Sequence, residues 1–497
     1  VKGKLNNTGP FRYWIHEALR DKLPFDQFVR GLVMFGGSQF EGGAAGFQVA
    51  TENDAPAAAK AHVVATAFLG TEMKCARCHD APYHQSKQKD LFSLAAMIEG
   101  KPVSVPSTST VPPSFFTRIG GRESPVKVTL HPGIPVAPTW PFEAFTGRGD
   151  LGPQSPRASL ARQLTRPENR RFAQVIVNRV WKRYFGQGFV EPAYDWEGND
   201  PSHPDLLDYL ARDFVANGYD LDRLSRLILT SDAYRREARL RPVVAGGERM
   251  FEAPLKRKLS SEQLVDSLFA ASGVPFYSEE LTFDIPGSNN AEVFQNLGRP
   301  TRAWQFVSLA SDRDRPSLTL PRADSIVSVL QAFGWRPDRS EPITDRGAAP
   351  TVLQPGLLAN GIFGTWITRL SPYSDLTKLA VEAASPTQLV DELYLRFLSR
   401  EPLDVERETM VAVLVDGFED RLLQSVSDYQ KQTYVPPVRE LTWSNHLSPE
   451  ANVHGAETEK EVAVGPPVAA ILEPEWRMRM EDVVWVIVNS PEMLFVP

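Results

Sequence analysis

Eleven of the chain's 41 prolines fall between Pro102 and Pro156, and no other feature restricts the fold as strongly. Proline has no amide hydrogen to donate and holds φ near about −65°, so it ends helices and is kept out of central strands. A stretch this rich in proline cannot be a long helix. β-favouring pieces such as Val126-Lys127-Val128-Thr129-Leu130 interleave with the prolines. The stretch therefore reads as a small β-rich excursion and linker between two parts. At 497 residues the chain is too long for one ordinary core, so more than one domain is expected. The expected division is 1–145 and 146–497, with a loop-rich stretch at about 275–350 where Pro, Gly, Asn and Arg accumulate.

On either side of the excursion the apolar residues recur at helical spacing. Helices are predicted from Phe11 to Leu19, after Asp26 as a cap with Phe28, Val29 and Leu32 inward, from Ala57 to Leu69 with Gly70 as the stop, and from Asp90 to Ile98. Gly36, Gly37, Gly42 and Gly43 mark a loop. Farther on, Phe172 to Phe185 is apolar over most of its surface and reads as a buried helix. Ser202 is placed to cap the next one, with Pro204 in its first turn, Leu207, Leu210 and Phe214 inward and Gly218 at its end. Asp220 starts another, and Ser261 to Ala271 repeats the scheme. Thr351 to Thr365, Pro386 to Phe397, Val405 to Phe418 and Glu481 to Asn489 complete a helical C-terminal part. The expected class is mainly α: a multi-helical, two-domain protein with a small Pro-rich β excursion between the domains.

Lys plus Arg number 54 against 61 Asp plus Glu, a net charge of −7, so the positive excess that tracks phosphates is missing and no nucleic-acid partner is expected. Apolar runs such as Val483 to Val488 are far shorter than the roughly 18 residues a membrane span needs, and none is expected. Residue 1 is Val, and the start of the protein is expected to be processed or missing.

The only two cysteines are Cys75 and Cys78, and His79 follows them directly. Cys75-Ala76-Arg77-Cys78-His79 is the C-x-x-C-H pattern of covalent haem attachment. On a helical turn, residues three apart share a face, so both thiols can reach the vinyl groups of one porphyrin while the next imidazole meets the iron. The expected cofactor is haem c, with Cys75, Cys78 and His79 as its binding residues and His79 as axial ligand. For the other axial or neighbouring position the local candidates are His84, Met97 and His62, with His16 and Met73 also near in sequence. An open position is allowed too. Competing readings are a C-x-x-C redox pair, a zinc or iron site using Cys75 and Cys78 with His79 and His84, and a pair of ordinary thiols.

Leu23-Pro24-Phe25-Asp26-Gln27-Phe28-Val29-Arg30, then Ala67-Phe68-Leu69-Gly70 leading into Cys75-Ala76-Arg77-Cys78-His79-Asp80, resembles the DUF1549 domain of planctomycete cytochrome-like proteins. The second half resembles the companion DUF1553 domain through Val177-Asn178-Arg179-Val180-Trp181, Tyr184-Phe185-Gly186, Gly188-Phe189-Val190-Glu191-Pro192, Pro201-Ser202-His203-Pro204 and Arg396-Phe397-Leu398-Ser399-Arg400. Members of the first family commonly carry a histidine two residues after the motif histidine. Here Ala81 stands in that place, so no role of that residue transfers. The resemblance implies a periplasmic or secreted, haem-associated protein and no settled reaction.

Other constellations are weaker. Asp195, Glu197, Asp200 and His203 crowd beside Trp196 and can be read as a carboxylate pair for glycoside chemistry, although the helix start at Ser202 accounts for much of the acidity. Arg179, inside an apolar helix, is expected to pair with Glu191 or Asp195. The ten tryptophans, among them Trp140, Trp181, Trp196, Trp304, Trp335 and Trp443, can stack on sugars, but most are expected in the core. No G-x-S-x-G, P-loop or H-E-x-x-H motif supports a hydrolase or nucleotide-binding reading. The function expected first is electron transfer with a redox partner protein. Alternatives are a haem-dependent oxidase or peroxidase with an open distal site, and a structural protein docking partners or an extracellular polysaccharide.

Overall fold

The computed structural model describes residues 9–37, 43–48, 56–111, 126–147, 154–240, 243–245, 248–284, 294–308, 316–335, 351–426, 429–435 and 448–496. Gly42, Trp443 and the stretches 285–293, 309–315 and 336–350 of the expected loop-rich region lie outside these residues. The chain is mainly helical, and it divides into two compact units, one built from Asn6–Lys256 and the other from Arg257–Ser340 with Asp345–Pro497. The boundary expected at 145/146 falls inside the first of these units.

The first unit begins with α1 (Gly9–Arg20) and α2 (Phe25–Met34). Pro24 precedes α2, and Asp26 sits inside its first turn rather than capping it; there its carboxylate meets the positive end of the helix. α3 (Pro56–Leu69) is buried on almost every face, as its run of alanines and valines allows. It stops at Gly70, whose φ of +61° is open to glycine at little cost. A Cβ there would also stand 2.5 Å from the Trp196 ring. α4 (Gln88–Glu99) packs along α3 and is enclosed from Leu91 to Ile98.

In the proline-rich region, β1 (Val103–Ser104) and β2 (Pro135–Val136) form a minimal antiparallel pair, and Lys127 bridges to Asp80. A short turn of helix, α5 (Glu143–Thr146), follows. α6 (Pro156–Thr165) and α7 (Arg170–Phe185) then share one apolar core with α2, α3 and α4. The buried Asn178 explains a polar residue in the middle of α7. Its amide nitrogen donates to the carbonyl of Val190 at 3.0 Å, and its oxygen accepts from the Val190 amide at 3.1 Å. α8 (Pro204–Ala216) and α9 (Leu221–Leu229) close the unit's helices. The residue before α8 is His203, not the expected Ser202, whose hydroxyl instead meets His203 Nδ1 at 3.2 Å. β3 (Val243–Ala245) and β4 (Glu248–Met250) form an antiparallel pair.

The second unit contains α10 (Ser261–Ser272), capped by Ser260 with Gln263 in a reciprocal capping box. The stretch expected to be loop holds an antiparallel pair of β5 (Leu281–Asp284) and β6 (Phe294–Gly298), then α11 (Ala303–Ser308) and a well-buried α12 (Pro321–Ala332). The β-branched residues of α12 are poor helix formers alone, and burial of Ile326, Val327, Val329 and Leu330 overrides that preference. The helix expected at Thr351–Thr365 is two, α13 (Leu353–Asn360) and α14 (Ile362–Thr368), broken at Gly361. α15 (Asp375–Glu382), α16 (Pro386–Leu398), α17 (Asp404–Leu414), α18 (Pro449–Val464) and α19 (Pro474–Val488) pack around a second core that includes Leu389, Leu393, Trp476 and Val484.

Candidate functional site

The turn that carries the chemistry is short and tightly bonded. Cys75–Arg77 forms one turn of 3₁₀ helix, in which the amides of Cys78 and His79 both donate to the Cys75 carbonyl, at 3.1 and 3.2 Å. Cys75 is exposed, Cys78 half-buried, and neither is in a disulfide. The intervening Ala76 is fully buried and seats the turn on the core.

Residues before the motif fix its entry. His62, buried on α3, accepts the Met73 amide hydrogen through Nδ1 at 3.3 Å, and its Nε2 lies 3.5 Å from Glu72. Arg179 of α7 donates to the Thr66 carbonyl at 2.8 Å, near the C-terminal end of α3. Of the two carboxylates expected for Arg179, Glu191 takes Lys182 at 2.9 Å and Asp195 takes His84 at 2.7 Å.

Residues after the motif fix its exit. His79 Nδ1 lies 2.8 Å from the Asp80 carbonyl, a geometry that places the Nδ1 hydrogen on that oxygen and leaves the Nε2 lone pair for an external acid. Asp80 in turn accepts from the Gln88 amide at 2.9 Å and the Thr129 hydroxyl at 2.7 Å. The Gln88 side chain is wholly buried, and its oxygen accepts from the amides of Thr129 and Leu130 at 2.8 and 3.0 Å. The expected β piece at 126–130 is thereby tied to the motif turn and the start of α4.

His84 Nε2 meets Asp195 Oδ2 at 2.7 Å, and the next amide, of Gln85, donates to Glu197 at 2.6 Å. The hydrogen bond that His84 donates to Asp195 raises the His84 pKa against the opposing effect of partial burial, and the charges of Asp195, Glu197 and Glu72 add to the rise. The acidic cluster beside Trp196 thus fastens the 84–85 segment. His203 packs on Phe251 with ring centroids 5.2 Å apart.

The structure brings Cys75, Cys78 and His79 onto one turn and engages the other candidates elsewhere. Met97 and Met73 are enclosed in the core, His62 straps the Met73 amide, His84 is held by Asp195, and His16 lies beside Glu17. Among the described residues no three His, Cys, Asp or Glu side chains gather as a metal site, so the set of two thiolates and two imidazoles needed for zinc or iron is not assembled. Haem attachment is a different demand, and the residues present fit it: an exposed and a half-buried thiol three positions apart, followed by an imidazole whose Nδ1 hydrogen is already committed. No helix among the described residues is long and apolar enough to cross a membrane. Of the tryptophans named as sugar platforms, Trp140, Trp181, Trp196 and Trp335 are buried, and Trp304 is partly exposed.

Residues 2–102 match the family described as PSCyt2, protein of unknown function (DUF1549). Residues 156–414 match the one described as PSD1, protein of unknown function (DUF1553). The two matched segments end and begin at the edges of the proline-rich stretch. No curated protein and no solved structure matches the chain. With more than half its length in the second match, the chain belongs to the PSD1 (DUF1553) family.

Proposed function

We propose that this protein is a cytochrome-like electron carrier that holds one haem c through thioethers to Cys75 and Cys78, with His79 on the iron. A one-electron couple is what such a group supplies when bound. The observation that carries the reading is the 2.8 Å contact of His79 Nδ1 with the Asp80 carbonyl, on the same turn as two accessible thiols. That bond orients the ring and selects the Nδ1–H tautomer, which leaves Nε2 as the free acceptor. Thioether attachment of haem takes place outside the cytoplasm, so the reading implies a periplasmic or secreted protein with a redox partner protein. The planctomycete source implied by the sequence resemblance belongs to the same reading.

A reduced-minus-oxidised absorption spectrum of protein produced with a haem-attachment system tests it. Haem bands that survive acid-acetone extraction, and are lost or weakened to a single thioether in Cys78→Ser, support the reading. A protein that emerges free of porphyrin, or with zinc alone, overturns it.

A second reading, haem-dependent oxidase or peroxidase chemistry, is favoured by one observation: His84 bonds to Asp195, His62 accepts the Met73 amide, and Met97 is enclosed in the core. An iron with an unfilled sixth position binds small molecules. Carbon monoxide or cyanide shifts in the spectrum support this second reading, and an unresponsive six-coordinate spectrum removes it.

A further inference from the structure

The second unit contains a pocket of about 670 Å³ that no part of the haem reading uses. Its walls are largely apolar and aromatic, with Tyr277, Tyr373, Tyr434 and Trp366 among them, and its charged groups are Arg322, Lys460 and Glu461. Such a cavity, apolar with a few converging polar groups, is the usual form of a small-ligand site.

Arg322 is held in place rather than loosely exposed. Arg322 is 9% exposed. Its backbone amide and that of Ala323 donate to the buried Glu279 carboxylate at 3.0 and 2.9 Å, which anchors the first turn of α12. Its guanidinium donates to Glu461 at 2.7 Å and to the Tyr434 hydroxyl at 3.1 Å, and lies 4.7 Å from the centre of the Tyr277 ring. The tyrosines form an angled wall: Tyr434 is 4.9 Å from Tyr277, centroid to centroid, and 5.4 Å from Tyr373, nearly perpendicular to the latter. The Trp366 indole N–H donates to the Val462 carbonyl at 3.2 Å, so that ring offers the pocket apolar surface.

Ligand classes differ in what they need from such a lining. A cation placed against the tyrosines would meet the fixed Arg322 guanidinium. An anion at Arg322 would meet the Glu461 carboxylate that already neutralises this guanidinium, and only the exposed Lys460 would be left to hold it. A wholly apolar molecule would cover this ion pair without replacing the water it loses, which is costly. A polyol ring fits all of it: its C–H face lies against aromatic rings, and each hydroxyl both donates and accepts, so donor and acceptor groups side by side are both used. We propose that the pocket is a saccharide-binding site that takes a neutral sugar ring of an oligosaccharide. This site is independent of the motif turn, and its test does not depend on haem.

The test is titration of the full chain, followed by calorimetry and intrinsic fluorescence, with cellohexaose, xylohexaose, mannohexaose and laminarihexaose, and with hexagalacturonic acid as the anionic comparator. Saturable binding of at least one neutral hexaose is expected. Tyr373→Ala should weaken it by about tenfold or more, the loss of one stacking wall. Glu461→Gln should weaken it severalfold; this side chain is largely exposed, so the substitution leaves the fold intact if Tyr373→Ala does not. No binding of any neutral hexaose at millimolar concentration overturns the proposal. So does binding of hexagalacturonic acid alone, or binding of a neutral hexaose that neither variant weakens.

Discussion

His84 and Asp195, 111 positions apart, are joined by a hydrogen bond of 2.7 Å between Nε2 and Oδ2. This contact, with Gln85 to Glu197 beside it, pins the chain just after the motif turn to the segment that follows α7. The His84 pKa is raised above its unfolded value of about 6.5, so the bond's stabilisation is fully present below that pH and fades as pH rises through the folded pKa. Asp195→Asn should therefore destabilise the protein by about 1–2 kcal/mol at about pH 6 and by less at about pH 9. Urea melts of both proteins at the two pH values measure this. An equal difference at both would show that the pair does not titrate as described.

Under the proposed haem attachment, His79→Ala removes the axial imidazole and leaves both thioethers. Covalent haem should be retained, with a spectrum changed toward weaker coordination, and free imidazole should restore the parent spectrum. A His79→Ala spectrum identical to the parent would show that another group binds the iron.

Gln88 is fully buried and satisfies two backbone amides of the excursion. Gln88→Ala leaves the Thr129 and Leu130 amides without that acceptor and should cost about 2–4 kcal/mol. Hydrogen exchange at these two amides should accelerate together with the loss of stability. Unchanged exchange at Thr129 and Leu130 would place the cost elsewhere.

Arg421, in the second unit, donates to the carbonyls of Ala380, Phe418 and Ala383 at 2.8, 2.8 and 2.7 Å, and its guanidinium lies 3.8 Å from the centre of the Phe418 ring. A lysine has no planar fork to serve three carbonyls and stack at once. Arg421→Lys should cost about 2–3 kcal/mol, read as a lower melting temperature.

The helices legible in the sequence are those with a strong apolar period and a terminal signal. α3 ends at Gly70, α9 starts at Asp220, and α16 runs from Pro386, all close to where spacing and caps placed them. Among those not read from the sequence, α12 starts at Pro321 inside a stretch otherwise rich in loop residues, and α15 is short despite its Ser374 cap; both bury most of their apolar residues in a core. The same split runs through the candidate site. Cys75, Cys78 and His79 are neighbours in sequence, so the helical turn that presents them is readable from their spacing.

The sequence by itself determined the helical class, the proline-rich interruption and the local turn of two thiols and an imidazole, because each depends on residues within a few positions of one another. Tertiary structure alone decided that His84 belongs to Asp195, that His62 straps Met73, that Gln88 holds residues 129–130, and that Arg322, Tyr434 and Glu461 meet in one pocket. The physical reason is that a side chain's partner is whichever group packing brings within bonding distance, and spacing along the chain carries no information about neighbours a hundred residues away.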